Sequence, residues 1–380
     1  MSAADGRARP RVLYLINAFE AGGAEAGLVR LVRGGLFDGF DLTVAGLAAG
    51  EPEVRAALER AGVEPLTLTA AHKPRVRDLP RLFAGIVRLT RRLRPDVVIL
   101  SLPQANLLGR LTSLVWRPPV VVSFEHNVRL AKRTYEVLFW LTSPLVDWMF
   151  ADAGATAREA ARRFYIRPPG RTSVVPLVSL PDTEAAAALT PDRFTVVNAA
   201  RFTPAKNQAA LIRAVAILRD RGIDVDLVLY GQGPERDACE ALAASLGVAD
   251  RVRLPGFVPD WPKRPASAFV LASRHEGLCM ALLEAMHAGL PVATPLVGGV
   301  ADYATPETAL ILSGAEPTTL AAAIAALRDD PHAAARAQTA RARVRGTYGE
   351  TAVAARLRAV NAELHAAVRA FPSPPAPIRR

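Results

Sequence analysis

The chain has 380 residues, with 47 Lys and Arg against 36 Asp and Glu, a net charge of +11. That length exceeds what one hydrophobic core usually organises and predicts two domains of roughly 150–200 residues. With 51% apolar residues, 22% charged residues and 30 prolines spread along it, the chain is globular, not collagen-like, coiled-coil or wholly disordered.

Short β-branched runs followed by helical patterns recur from the start, at residues 11–16, 41–47, 65–69, 96–101, 120–124 and 173–176. Near-continuous apolar strands alternating with amphipathic helices predict parallel sheets covered on both faces. Residues 178–193 lose this rhythm, with Pro181, an alanine run and Thr190-Pro191-Asp192, and read as a linker. A second round of strands follows at 194–200, 226–231, 252–256, 268–273, 291–295 and 309–313, with helical patterns at 208–221 and 235–246. Residues 331–370 read as helical, and the Pro-rich residues 371–380 cannot continue a helix. Three segments result: an N-terminal domain 1–185, a C-terminal domain 186–350, and 351–380 as a helix returning toward the first domain plus the tail. Two doubly wound domains are expected to bind a ligand at the carboxyl ends of their strands, in the cleft between them.

Cys239 and Cys279 show no Cys-x-x-Cys spacing and no neighbouring His cluster, which speaks against a disulfide framework or a structural zinc site and for a reducing, cytoplasmic setting. Residues 1–10 are polar and Arg-bearing, unlike a secretory leader. The positive charge is uneven. Residues 1–185 hold 25 basic and 18 acidic side chains, and all of that +7 is matched by residues 71–94, with eight basic residues and the single acid Asp78. Read as a helix from about Asp78, this segment places Arg77, Arg81, Arg88 and Arg92 within roughly 60° of one another, opposite Leu79, Leu82, Phe83, Ile86 and Leu93. The stripe is either a solvated face of an Arg-rich protein or a docking face for anionic lipid headgroups or an acidic substrate. Nucleic acid is not the expected partner, because no aromatic residues interleave with the arginines and no binding motif accompanies them.

Five loops at strand ends carry candidate chemistry. The first strand leads into Gly22-Gly23-Ala24-Glu25, a turn that lets backbone approach a ligand but is not the Gly-x-Gly-x-x-Gly dinucleotide fingerprint. The strand 120–124 runs into Glu125-His126-Asn127, where His126 is either a core histidine or one that meets a sugar hydroxyl or moves a proton. Arg201 and Lys206 lie five residues apart on a loop entering a helix, a pattern suited to a diphosphate; Lys206 is one of only four lysines, with Lys73, Lys132 and Lys263. Gly231-Gln232-Gly233-Pro234 and Gly256-Phe257-Val258 are turns able to receive a flat base. The strongest signal runs from Ser273 to Val292. In it Glu276 follows a buried strand, Gly277 frees the amides of Leu278 and Cys279 to approach a phosphate, and Glu284 sits in an apolar helix where a carboxylate needs polar partners.

These residues together resemble the retaining GT-B glycosyltransferases of family four. The likeness rests on the Glu276-x7-Glu284 pair inside Ser-Arg-His-Glu-Gly-Leu and Leu-Leu-Glu-Ala-Met, then Val297-Gly298-Gly299, supported by the Arg201…Lys206 loop, the Gly231–Pro234 turn, the Gly256–Val258 segment and Gly22-Gly23-Ala24-Glu25. It spans roughly residues 11–345 and is more specific in the C-terminal half. The resemblance implies an α/β fold of two Rossmann-like doubly wound domains with an interdomain cleft, and a C-terminal domain that binds a nucleotide sugar, most often UDP-linked. It implies that Arg201 and Lys206 hold the diphosphate, Glu284 the ribose hydroxyls, Glu276 with the backbone of Gly277, Leu278 and Cys279 the donor sugar, and the region of Gly231 and Val258 the base. It also implies that His126 lies near the donor sugar and that Gly22 and Gly23 close over the phosphates.

Cleaving the bond between anomeric carbon and phosphate develops negative charge on the diphosphate, so fixed cations there are the main catalytic need. Asp224-Val225-Asp226 enters a buried strand and reads as structural rather than as a metal site, so no metal or other cofactor is expected. The expected reaction moves a hexose or N-acetylhexosamine to a hydroxyl of a lipid-linked or cell-surface glycan; retention is imported from the family. A soluble natural-product acceptor, a same-fold sugar-nucleotide epimerase and a non-catalytic scaffold are the other readings. Two departures from the family pattern stand out: Leu177 where Asn is frequent, and Cys279 with Met280 where small residues or Pro are commoner.

Overall fold

A computed structural model describes residues 9–20, 22–73, 76–126, 130, 133–183 and 193–370. Most of the expected linker, at 184–192, and the tail from 371 lie outside the described residues. The chain forms two compact units, one running to Ser179 and resuming at Val353, the other from Leu180 to Ala352.

The first unit runs β1 (Arg11–Ala18), α1 (Gly23–Arg33), β2 (Asp41–Ala48), α2 (Pro52–Glu59), β3 (Leu66–Thr67), α3 (Leu79–Leu93), β4 (Val97–Ser101), α4 (Pro103–Thr112), β5 (Val120–Glu125), α5 (Arg133–Thr142), β6 (Trp148–Ala151), α6 (Gly154–Arg163) and β7 (Arg171–Val174). The second runs β8 (Thr195–Ala199), α7 (Gln208–Asp220), β9 (Asp226–Tyr230), α8 (Arg236–Ser245), β10 (Val252–Gly256), β11 (Ala268–Val270), α9 (Met280–His287), β12 (Val292–Pro295), β13 (Leu310–Leu312), α10 (Pro317–Asp329) and α11 (Ala333–Tyr348). A last helix, α12 (Glu350–Ala370), follows Gly349. The helical stretch expected at 331–370 is therefore two helices, because Gly349 takes an extended conformation between them. The strand β6 was not expected from the sequence: it is only four residues long, Trp-Met-Phe-Ala, too short for its periodicity to register, although Ser143-Pro144 separates it from α5.

Both sheets are wholly parallel, with strand orders β3-β2-β1-β4-β5-β6-β7 and β10-β9-β8-β11-β12-β13. This is the doubly wound architecture expected of each half. Parallel strands are buried on both faces, and the even and odd positions of β1 show it: Val12, Tyr14 and Ile16 join one core, Leu13 and Leu15 the other. The first core lies under α1 and α2 and receives Val353, Leu357, Val360, Leu364 and Ala367 of α12 at helical spacing. Asn361 and His365 tie that helix to the backbone at Leu36 and Asp38. The other face is covered by α3, α4, α5 and α6. On α3 the expected amphipathic helix forms, with Leu82 and Ile86 buried and Arg77, Arg81, Arg88 and Arg92 exposed on it and the turn before it. Leu177, at the departure noted above, is buried against Gly27, and its carbonyl accepts from Arg30 (3.0 Å).

In each sheet the winding direction reverses once, between β1 and β4 and between β8 and β11. Loops that leave such neighbouring strands in opposite directions open a crevice at the carboxyl edge, where ligands of open α/β sheets bind. No helix among the described residues is long and apolar enough to cross a membrane.

Because Leu357 is only 1% exposed beside Gly34 in the first core, Leu357→Ala is expected to cost about 2–5 kcal/mol by the usual transfer and cavity terms. Chemical denaturation checks this, and a loss below about 1 kcal/mol contradicts a load on α12.

Candidate active site

The loops after β8 and β11 meet at the reversal of the second sheet. Lys206 Nζ donates to both carboxylate oxygens of Glu276, at 2.7 and 2.6 Å. The Glu276 side chain is 5% exposed and that of Lys206 26%, so a buried carboxylate is compensated by a cation that still touches solvent. An ammonium has three donors, and Glu276 takes two of them. The loops are laced further by Arg274 N to Ala205 O (2.8 Å) and by the Asn207 amide, which donates to Ala272 O (3.2 Å) and Ala315 O (3.1 Å). The Arg201 side chain is exposed, and its carbonyl accepts from Gln208 (3.1 Å).

The Glu276–Cys279 loop is held from behind. Tyr303, a buried residue that sequence inspection missed, donates to Leu278 O (2.8 Å) and lies 3.2 Å from Cys279 O. Gly299 N donates to Gly277 O at 2.6 Å. Gly298 has φ +55°, and a Cβ there would strike the Glu276 carbonyl, so only glycine permits this approach. With its carbonyls taken from one side, the loop keeps the amides of Leu278 and Cys279 without a protein acceptor among the described residues. Cys279 itself adopts a left-handed φ of +57° at the start of α9. Burial, reinforced by the Glu276 carboxylate, holds its thiol well above the ordinary range, so it is a packed thiol and not a nucleophile.

Glu284, half-buried in the first turns of α9, accepts at Oε2 from Trp261 Nε1 (3.1 Å). Trp261 was also missed from the sequence, because no motif surrounds it. It packs beside Tyr230 (6.0 Å between centroids) and Phe269 (5.5 Å), and its own amide bonds the Val258 carbonyl at 3.3 Å. Glu284, Trp261 and Val258 thus form one wall. Gly231 closes toward Ala200, where φ +133° and the nearness of the Ala200 carbonyl leave no room for a side chain, and Gly231 N bonds Gly256 O (2.8 Å). Asp224 and Asp226 meet Arg193 and Arg251 in exposed or half-exposed ion pairs.

In the first unit, Gly22 precedes α1 and Gly23 begins it, with the buried Glu25 carboxylate next to Gly22. Burial, then its own backbone amide in the opposite sense, then Glu20 and Glu51 set the Glu25 pKa at about 7. His126 follows β5 and is enclosed. Its Nε2 shares a 2.9 Å hydrogen bond with Ser101 Oγ at the end of β4, Nδ1 is 4.0 Å from Asp152 Oδ2, and the ring lies 4.3 Å from that of Phe124. Desolvation lowers its pKa to about 3. The ring is therefore neutral near pH 7 and offers hydrogen bonds, not an acidic proton. Beside it lies a buried network centred on Arg110, which bonds Glu125 (3.2 Å), Ser123 (2.7 Å) and the Phe139 carbonyl (2.9 Å).

A histidine whose folded pKa lies below its unfolded value contributes stability above about pH 6.5 that is lost as pH falls toward 3. Glu25, raised to about 7, acts oppositely, its contribution lost as pH rises from about 4.5. His126→Asn is accordingly expected to become more stable relative to the native chain as pH drops from 6.5 to 4. Denaturant unfolding at several pH values checks this; a pH-independent difference contradicts a buried neutral imidazole.

Two family models match the chain: glycosyl transferases group 1 over residues 182–344 and glycosyltransferase family 4 over residues 21–177. The D-inositol 3-phosphate glycosyltransferase of Thermobispora bispora is 32% identical over 328 residues, which is 75% of this chain and 76% of that protein. The lipopolysaccharide core biosynthesis glycosyltransferase LpsD of Rhizobium meliloti is 38% identical over 143 residues, which is 37% of this chain and only 40% of the length of that relative. Among solved structures, Anabaena HepE in complex with UDP and glucose superposes with a TM-score of 0.76 at 19% identity, over 93% of this chain and all of that one. The paired carboxylate and lysine at the sheet reversal, the two parallel-sheet units and these matches agree: the chain belongs to the group 1 glycosyltransferases and has their GT-B fold.

Proposed function

We propose that this protein transfers a hexose or N-acetylhexosamine from a nucleotide sugar, UDP-linked, to a hydroxyl of a lipid-linked or cell-surface glycan, with retention and without a metal. The observation that carries it is the Lys206–Glu276 pair at the reversal of the second sheet. A carboxylate that meets sugar hydroxyls and a cation that meets phosphate must lie within one sugar of each other, and these two touch. The remaining Lys206 donor serves a phosphate oxygen, Arg201 supplies a second cation, and the Leu278 and Cys279 amides supply uncharged donors. Together they stabilise the charge that builds on the departing diphosphate, so the electrophilic role that a metal fills elsewhere falls to side chains. Retention follows if the acceptor hydroxyl attacks on the leaving-group side and gives its proton to the departing phosphate oxygen. Glu284, oriented by Trp261, holds the ribose hydroxyls beside Gly231 and Val258. His126, being neutral, acts by hydrogen bonding.

The names of relatives support parts of this reading: one is a lipopolysaccharide core glycosyltransferase, and Anabaena HepE was solved with UDP and glucose. The exposed arginines of α3 suit a peripheral position on an anionic, cytoplasm-facing membrane where a lipid-linked acceptor resides.

Incubation with a panel of nucleotide sugars and detection of released UDP or GDP tests the reading, with turnover expected for a UDP-sugar. Lys206→Ala should lower kcat/KM by about a hundredfold or more and should also lower the melting temperature, because the Glu276 carboxylate loses its cation; unaltered turnover in the folded variant contradicts its role. Trp261→Phe keeps an aromatic side chain, smaller than the indole, but removes the donor to Glu284. A rise in donor KM of about five- to tenfold with kcat preserved is expected, whereas a fall in kcat alone contradicts a ribose-side function.

A further inference from the structure

The helix α5 reverses the usual arrangement of an outer helix. Phe139 and Thr142 face the core, while Val137, Leu138, Trp140 and Leu141 are 55%, 41%, 44% and 56% exposed. At 100° per residue these four occupy an arc of about 160°, the side where a helix on a soluble domain normally carries polar groups. Ile166, 46% exposed, belongs to the same patch. Its amide donates to Ser143 Oγ (3.0 Å), and that hydroxyl donates to the Trp140 carbonyl (2.7 Å). Single exposed apolar side chains are ordinary, but a contiguous group with a tryptophan marks a surface that is covered in use.

The charges around the patch choose what covers it. α3 packs on α4 and α4 on α5, all on one face of the first sheet, so the apolar stripe of α5 shares its layer with the arginine stripe of α3. Arg77, Arg81, Arg88, Arg91 and Arg92 are exposed and have no carboxylate partner among the described residues. Arg133, one helical turn before Val137, is exposed on α5 itself. Nearby acids are already engaged: Asp147 pairs with Arg117 (2.7 Å), and Glu136 accepts from the Leu130 amide (3.3 Å). A second copy docked through this face would set five arginines of α3 and its approach against five others, with Asp78 the single acid on that segment to answer them. An anionic bilayer answers both features, with phosphates for the arginines and the headgroup–acyl boundary for Trp140 and the aliphatic side chains.

We propose that α5 seats its apolar stripe at 137–141 in the headgroup–acyl boundary of an anionic bilayer, while the arginines of α3 hold lipid phosphates at the surface. This rests on the membrane reading of α3 and adds insertion by a separate helix. The full-length protein is tested against vesicles of phosphatidylcholine with and without phosphatidylglycerol. Binding to the anionic vesicles is expected, with tryptophan emission quenched by lipids brominated in their acyl chains. Trp148 and Trp261 are buried and Trp116 is half-buried, so Trp140→Phe should remove most of the quenching in a Trp116→Phe background, and Leu138→Ser with Leu141→Ser should weaken binding about tenfold or more without lowering the melting temperature. If Arg81→Glu with Arg88→Glu weakens binding but the α5 changes do not, insertion is overturned and the α3 reading stands. If the α5 changes weaken binding and the α3 changes do not, the α3 reading fails. Absence of quenching, or a dimer in solution that the α5 changes dissociate, also overturns the proposal.

Discussion

A carboxylate buried to the degree of Glu276 must be answered by a cation, and the answer comes from Lys206 on a different loop, 70 residues earlier in the chain. That requirement fixes the carboxyl edge of the second sheet. It brings the loop after β8 to the loop after β11 at the one place where the strand order reverses, and so makes the topological crevice a charged one. Neither partner is there to stabilise the fold cheaply. A buried ion pair seldom outperforms well-packed apolar residues, and in the proposed function both groups serve the donor as well as each other.

The surrounding contacts serve the same geometry. Tyr303 and Gly299 occupy carbonyls of the Glu276–Cys279 loop while the Leu278 and Cys279 amides have no protein acceptor among the described residues, and Gly298 permits the close approach that makes this possible. Trp261 gives Glu284 a fixed partner, satisfying part of a carboxylate that an apolar helix alone could not. In the first unit His126 is enclosed by Ser101, Phe124 and Asp152, and its neutrality narrows its chemistry to hydrogen bonding. In the second unit Lys206 has a specific anionic partner in Glu276, whereas in the first the exposed arginines of α3 have no carboxylate partner among the described residues.

Much of this was legible in the sequence, for identifiable reasons. Parallel strands buried on both faces leave unmistakable apolar runs, so the alternation of strands and helices could be read directly, and a glutamate amid Leu283, Ala285 and Met286 announces its need for partners. The basic stripe of α3 was visible because a strongly amphipathic helix places charge and core at fixed angles. β6 was not, because its four residues are too few to show a strand period beside the apolar helix that precedes them. Trp261 and Tyr303 escaped because they act through geometry set by distant segments: one hydrogen bond spans 23 residues and the other 25, and no local spacing encodes such pairings. The apolar face of α5 was hidden for a related reason, since only the fold tells which side of a helix rich in apolar residues is left outside.

With four lysines in the chain, the ammonium resonances of ¹⁵N-lysine-labelled protein can report directly on Lys206, assigned by its loss in Lys206→Arg. Titration with a UDP-sugar is predicted to shift that one resonance selectively and saturably, as the free donor of an ammonium already held by Glu276 meets a diphosphate. A Lys206 resonance that stays in place while the nucleotide sugar demonstrably binds would contradict the account.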